Sequence, residues 1–191
     1  MLLSPPNRRL VGFLATLGLA FTLIPTPAMA QQPAPAAPAT ARADQSPLLS
    51  PWAGAHGGVP AFDKIKVADF KPALETAMAE NLAEIAAIAA NPQPATFENT
   101  IAAMERSGQT LTRVSTAYDV WSSTLNDAAF SAVETEMAPK LAAFSDQITQ
   151  NTALFKRIEA VYNSPATKKL TPEQQRLVEV DYNRTYAKGV T

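Results

Sequence analysis

From Phe70 onward the apolar residues of this chain recur at steps of three and four, as Leu74, Met78, Leu82, Ile85 and Ile88. That spacing puts one stripe on one face of a helix and leaves Glu75, Glu80 and Glu84 toward water. The run Asn91-Pro92-Gln93-Pro94 ends it, because Pro92 disfavours helical angles at Asn91 and neither proline offers an N–H. Thr96 restarts the chain as an N-cap, with Glu98 placed to meet the positive end of the new helix dipole.

In the second helix Phe97, Met104, Leu111, Tyr118 and Leu125 recur every seven residues, and Ile101, Val114 and Trp121 fill in beside them. This predicts one long helix packed along its length. Gly108 sits on that seam at a cost of about 1 kcal/mol against alanine, which predicts a bend there or the close approach of another backbone. A third helix starts at the cap candidate Asn126, with Asp127 near its N-terminus, and runs through Phe130, Val133, Met137, Leu141, Phe144 and Ile148. The apolar phase survives across Pro139, so a kink is expected there rather than an end. Asn151 closes it.

A shorter helix carries Leu154, Phe155, Ile158, Val161 and Tyr162 and stops before Ser164-Pro165. Thr171-Pro172-Glu173-Gln174 then supplies a cap, a proline at the first helical position and the reciprocal capping-box glutamine. The last helix is expected from Pro172 to about Lys188. No stretch sustains period-two alternation, so the fold class is all-α with about five helices.

Residues 1–30 read as a secretory signal. Arg8 and Arg9 form a positive start, Val11 to Ile24 an apolar core, and Ala28-Met29-Ala30 a small-x-small cleavage site. The apolar run is shorter than the ~20 residues a spanning helix needs, and Pro25 and Pro27 follow it. Residues 31–45 form a Pro- and Ala-rich tract with little to bury, expected to be a disordered spacer. From Ser46 to Ile65 the chain is an extended approach carrying Leu48, Leu49, Trp52, Phe62 and Ile65, suited to lie across a helical surface.

Hydrophobic residues make up 47% of the chain, an ordinary share for a globular domain. Loss of residues 1–30 removes two of the 16 basic residues and none of the 17 acidic ones, leaving 14 against 17, a net −3. With no basic stripe, neither a nucleic acid nor, after signal cleavage, a membrane surface is expected as partner. The chain has no cysteine, which rules out disulfides, thiolate metal sites and a thiol nucleophile within it.

The string Leu48-Leu49, Pro51-Trp52, Gly57-Gly58-Val59-Pro60, Phe62-Asp63-Lys64-Ile65 and Phe70-Lys71-Pro72-Ala73-Leu74 is followed by Phe97-Glu98-Asn99-Thr100-Ile101 and Glu105-Arg106-Ser107-Gly108. Together these resemble the amino-terminal region of the peptidyl-dipeptidases, zinc metallopeptidases grouped with oligopeptidase A and thimet oligopeptidase. The resemblance runs in register from about Ser46 to about Val114 and more loosely to Gly189. It implies a helical clam-shell whose amino-terminal helices wall a channel admitting short unstructured peptides. It also implies hydrolysis by a zinc on a His-Glu-x-x-His helix with a further glutamate.

No His-Glu-x-x-His motif occurs in these residues, so no catalytic, cofactor-binding or metal-binding residue is carried over from the family. The single histidine, His56, lies in a Gly-rich approach and reads as a surface-loop residue; catalytic zinc ordinarily takes three protein ligands. Gly57-Gly58 is too short for a phosphate loop. Glu75, Glu80, Glu84, Glu98 and Glu105 read as solvated faces and dipole partners. Tyr118 and Trp121 suit a peptide groove or a core, and their helical spacing favours the core.

The sequence thus predicts the amino-terminal fragment of an exported, periplasmic metallopeptidase, a hydrolase in the intact family but inactive alone. It would carry no cofactor itself, and its expected partners are the missing carboxy-terminal catalytic region and short peptides. The alternative is a self-sufficient exported helical module that binds peptides or a protein without catalysis.

Overall fold

The computed structural model describes residues 46–54 and 58–186. His56, Gly57, the signal and spacer segments and the expected end of the last helix at Lys188 lie outside the described residues. Six α-helical segments follow in order: α1 (Val67–Ala89), α2 (Ala102–Arg106), α3 (Gln109–Thr124), α4 (Ala128–Thr149), α5 (Thr152–Tyr162) and α6 (Pro172–Tyr186). A π-helical turn, Phe97–Ile101, leads into α2, and a 3-10 turn, Pro165–Lys169, separates α5 from α6. Counting α2 and α3 as the halves of one broken helix gives the five expected. Among the described residues the only β pairing is the isolated bridge between Ala53 and Val59.

The starts of these helices follow from local chemistry. Asp69 Oδ2 accepts the Lys66 N–H at 2.8 Å at the head of α1, and Thr96 and Asn99 exchange reciprocal bonds of 2.8 and 3.2 Å at the π-helical turn. The Thr171 and Gln174 capping box closes as its spacing predicts, at 3.1 and 3.3 Å. Two caps differ from expectation. Asp127, not Asn126, caps α4 by accepting the Phe130 N–H at 2.8 Å, leaving Asn126 to bond Ser131 and Glu134. Asn151 opens α5 by accepting the Leu154 N–H at 3.0 Å, while α4 has already ended at Thr149. The helix runs through Pro139 without ending.

The largest difference falls at Gly108. The expected long helix stops at Arg106, Gly108 takes φ 69° and ψ 22°, and α3 begins one residue later. What comes close is a side chain rather than a backbone: a Cβ at Gly108 would stand 3.0 Å from Asn81 Nδ2. Leu125, assigned to the apolar seam, lies past the end of α3 and is 53% exposed.

Two apolar clusters form the interior. The first gathers Leu48, Ile65, Phe70, Leu74, Met78, Val114, Phe130 and Met137, so the approach is anchored by Leu48 and Ile65 against α1, α3 and α4. The second gathers Ile85, Ile101, Leu154, Ile158, Val161 and Val178 from the far end of α1, the π-helical turn, α5 and α6. α1 threads both. Its buried stripe runs Phe70, Leu74, Met78, Asn81, Ile85, so a buried asparagine stands where Leu82 was expected; Leu82 is half-buried.

Candidate functional site

The two aromatics weighed for a groove or a core, Tyr118 and Trp121, pack against the first cluster. Phe70 meets Tyr118, Trp121 and Phe130 edge-on, with ring centroids 5.9, 5.3 and 5.2 Å apart, geometry that the ring quadrupoles favour. Burial raises the Tyr118 phenol above its ordinary pKa, and the carboxylates of Glu134 and Asp119 push the same way. A phenol held neutral in this way is a packing group and not a base at ordinary pH. Tyr118 and Trp121, both partly buried, therefore pack against the core, the reading their spacing favours.

Of the five carboxylates singled out in the sequence, Glu75, Glu84 and Glu98 are engaged in ion pairs or at a helix end. Glu75 meets Lys140 at 2.5 Å, and Lys140 also meets Glu136, which in turn meets Lys71 at 2.5 Å. These contacts hold Glu136 below and Lys140 above their ordinary pKa values, through the hydrogen bonds from Lys71 and to Glu75 first. Glu98 meets Arg106 at 2.8 Å on the surface. Glu84 is exposed and accepts the Gly108 N–H at 2.6 Å, so it partners the start of α3 from another helix.

Two buried charged residues escaped the sequence reading. Arg157 is 9% exposed, and its guanidinium donates to the carbonyls of Asn91 and Gln93 at 2.7 and 3.0 Å, to Asn99 Oδ1 at 2.9 Å and to Thr100 Oγ1 at 3.3 Å. It staples the proline turn and the π-helical turn to α5, using the fork that only arginine offers. Asp181 is 3% exposed, and its Oδ2 is buried without a hydrogen-bond partner. Burial raises its pKa, the Glu105 carboxylate adds to the rise, and Arg184, 3.7 Å from Oδ1, opposes it. The available signal was position: Arg157 follows Leu154 by one turn and Asp181 follows Val178, so each sits on an apolar stripe.

Among the described residues no group of three or more His, Cys, Asp or Glu side chains could hold a metal. An open hollow of about 410 Å³ beside Tyr162 contains one carboxylate, Glu179, paired with Arg176 at 3.7 Å, so it offers no acid and base together. With one imidazole and no thiol in 191 residues, the donor set does not fit a catalytic zinc. No helix among the described residues is long and apolar enough to cross a membrane.

No family model matches the chain. Over 130 residues it is 36% identical to the dipeptidyl carboxypeptidase of Escherichia coli (strain K12), covering 68% of this chain and 19% of that protein. The dipeptidyl carboxypeptidase of Salmonella typhimurium (strain LT2) is 32% identical over the same extent. The chain thus spans about a fifth of the length of these curated relatives and is peptidyl-dipeptidase-like over that region.

Proposed function

We propose that this chain forms the amino-terminal, channel-wall part of an exported zinc metallopeptidase that removes dipeptides from short peptides, and that the metal is held by polypeptide outside these 191 residues. The observation that carries this reading is the 36% identity, which extends over 130 residues of this chain but only 19% of the relative. The donor set agrees, since the helices present aromatic packing, ion pairs and caps where a peptidase would need converging imidazoles. Export to the periplasm rests on the signal pattern of residues 1–30.

In this reading the helices contribute a rigid boundary that orients and excludes, while bond cleavage belongs to the missing partner region. Reading the genomic frame beyond codon 191 tests it. The expected result is a His-Glu-x-x-His motif downstream, intact or as a remnant; a frame or flanking sequence with no trace of one contradicts the proposal.

A second reading is favoured by the closure of the core, since Phe70, Phe130, Ile101 and Leu154 are fully buried within this chain alone. A self-sufficient binding module predicts a sharp calorimetric transition and a monodisperse species. A fragment predicts association or a broad transition, because surface meant for the missing region stays exposed.

A further inference from the structure

The outward face of α6 carries four exposed charged residues, Glu173, Arg176, Glu179 and Arg184, while Asp181 is buried. Their signs alternate along the helix, negative, positive, negative, positive. Read from the other end the order inverts. An antiparallel copy of α6 therefore sets Glu173 against Arg184 and Arg176 against Glu179, each pair twice, about one centre near Val178; a parallel copy would set like charges together. Within the chain Arg176 and Arg184 make only long contacts, each 3.7 Å from its carboxylate partner. Apolar surface flanks these charges. Val180 is 37% exposed, and Tyr162, at the end of α5, is 42% exposed. The Tyr162 ring lies flat on Tyr182 with centroids 4.1 Å apart, so it stands level with the C-terminal half of α6. The hollow of about 410 Å³ beside it runs back to Thr167, Pro172 and Gln175, toward the N-terminal half.

We infer that α6 is a self-docking face: two copies of this chain pair through antiparallel α6 helices, and Tyr162 of each enters the hollow of the other beside Pro172. A two-fold axis crossing the helices at Val178 lays each flank over the same flank of the partner and exchanges the two ends. The ring standing at the C-terminal end is thereby carried to the hollow at the N-terminal end, and the contact is isologous. An aromatic anchor bordered by arginine and carboxylate pairs is the composition that docking surfaces favour. The inference does not rest on the peptidase reading, because every residue it uses lies on α5, α6 and the 3-10 turn. A closed pair also differs from the open-ended association expected of a fragment with bare apolar surface.

Sedimentation equilibrium on the purified chain over a concentration series tests this. The expected result is a monomer–dimer equilibrium with no larger species, weakened by added salt. Arg176→Glu and Glu179→Arg should each raise the dimer dissociation constant about tenfold, because each sets like charges together twice. Mixed in equal amounts, these two variants should pair with each other, since each reversal then meets its complement. Tyr162→Ala should weaken pairing by a similar factor. A chain that stays monomeric at every concentration, species beyond the dimer, or single variants that pair no better mixed than alone would each overturn the inference.

Discussion

The halves of this molecule solve the same burial problem with different chemistry. Around Phe70 the first half stacks Tyr118, Trp121 and Phe130 edge-to-face and closes over them with Leu48 and Ile65 from the approach. Around Ile158 the second half has aliphatic side chains pinned by one buried guanidinium and flanked by a buried carboxyl. The first is held by area and ring geometry, so its stability should be nearly independent of pH and salt. The second depends on hydrogen bonds to a charge, so removing a single group should cost much of it.

The contrast breaks most visibly at Phe70. Phe70→Ala empties the centre of the aromatic cluster and should destabilise the fold by about 3–5 kcal/mol in denaturant titration. Arg157→Met leaves two carbonyls and two side-chain oxygens without their donor, and should cost about 2–3 kcal/mol. Arg157→Lys should recover little, because one ammonium cannot span all four acceptors.

Asp181 sharpens the comparison with the opposite sign. Its folded-state pKa lies above the unfolded value, so whatever stability it adds is present at acid pH and is lost as pH rises through the folded pKa. Asp181→Asn should therefore raise the Tm at neutral pH, by less than either core change lowers it, and the gain should vanish in acid. The smallest effect is expected at the exposed Lys71–Glu136–Lys140 network of the first half. Glu136 is held below its ordinary pKa, so its contribution is present at neutral pH and lost as pH falls through the folded pKa. Glu136→Gln should change the Tm only slightly, and less still in high salt.

Periodicity and caps made most of the fold legible. Spacing from Phe70 to Ile88, the proline stop at Pro92 and the Thr171 capping box each depend on local rules that the tertiary structure leaves intact. The break at Gly108 was hidden because the heptad from Phe97 to Leu125 continues across it in sequence, while its cause, Asn81 and Glu84, lies more than 20 residues upstream. The same holds for Arg157, whose acceptors come from Asn91 to Thr100. Such groups pass as surface residues until the elements that cover them are known.

Similarity to two bacterial dipeptidyl carboxypeptidases gives the chain its relationship, and the proposal that zinc is held outside these residues remains to be measured. The most direct measurement is elemental analysis of the purified chain for zinc, paired with an assay for dipeptide release from short peptides. The account predicts substoichiometric zinc and no release. One tightly held zinc per chain with metal-dependent release, both lost in His56→Ala, would contradict it.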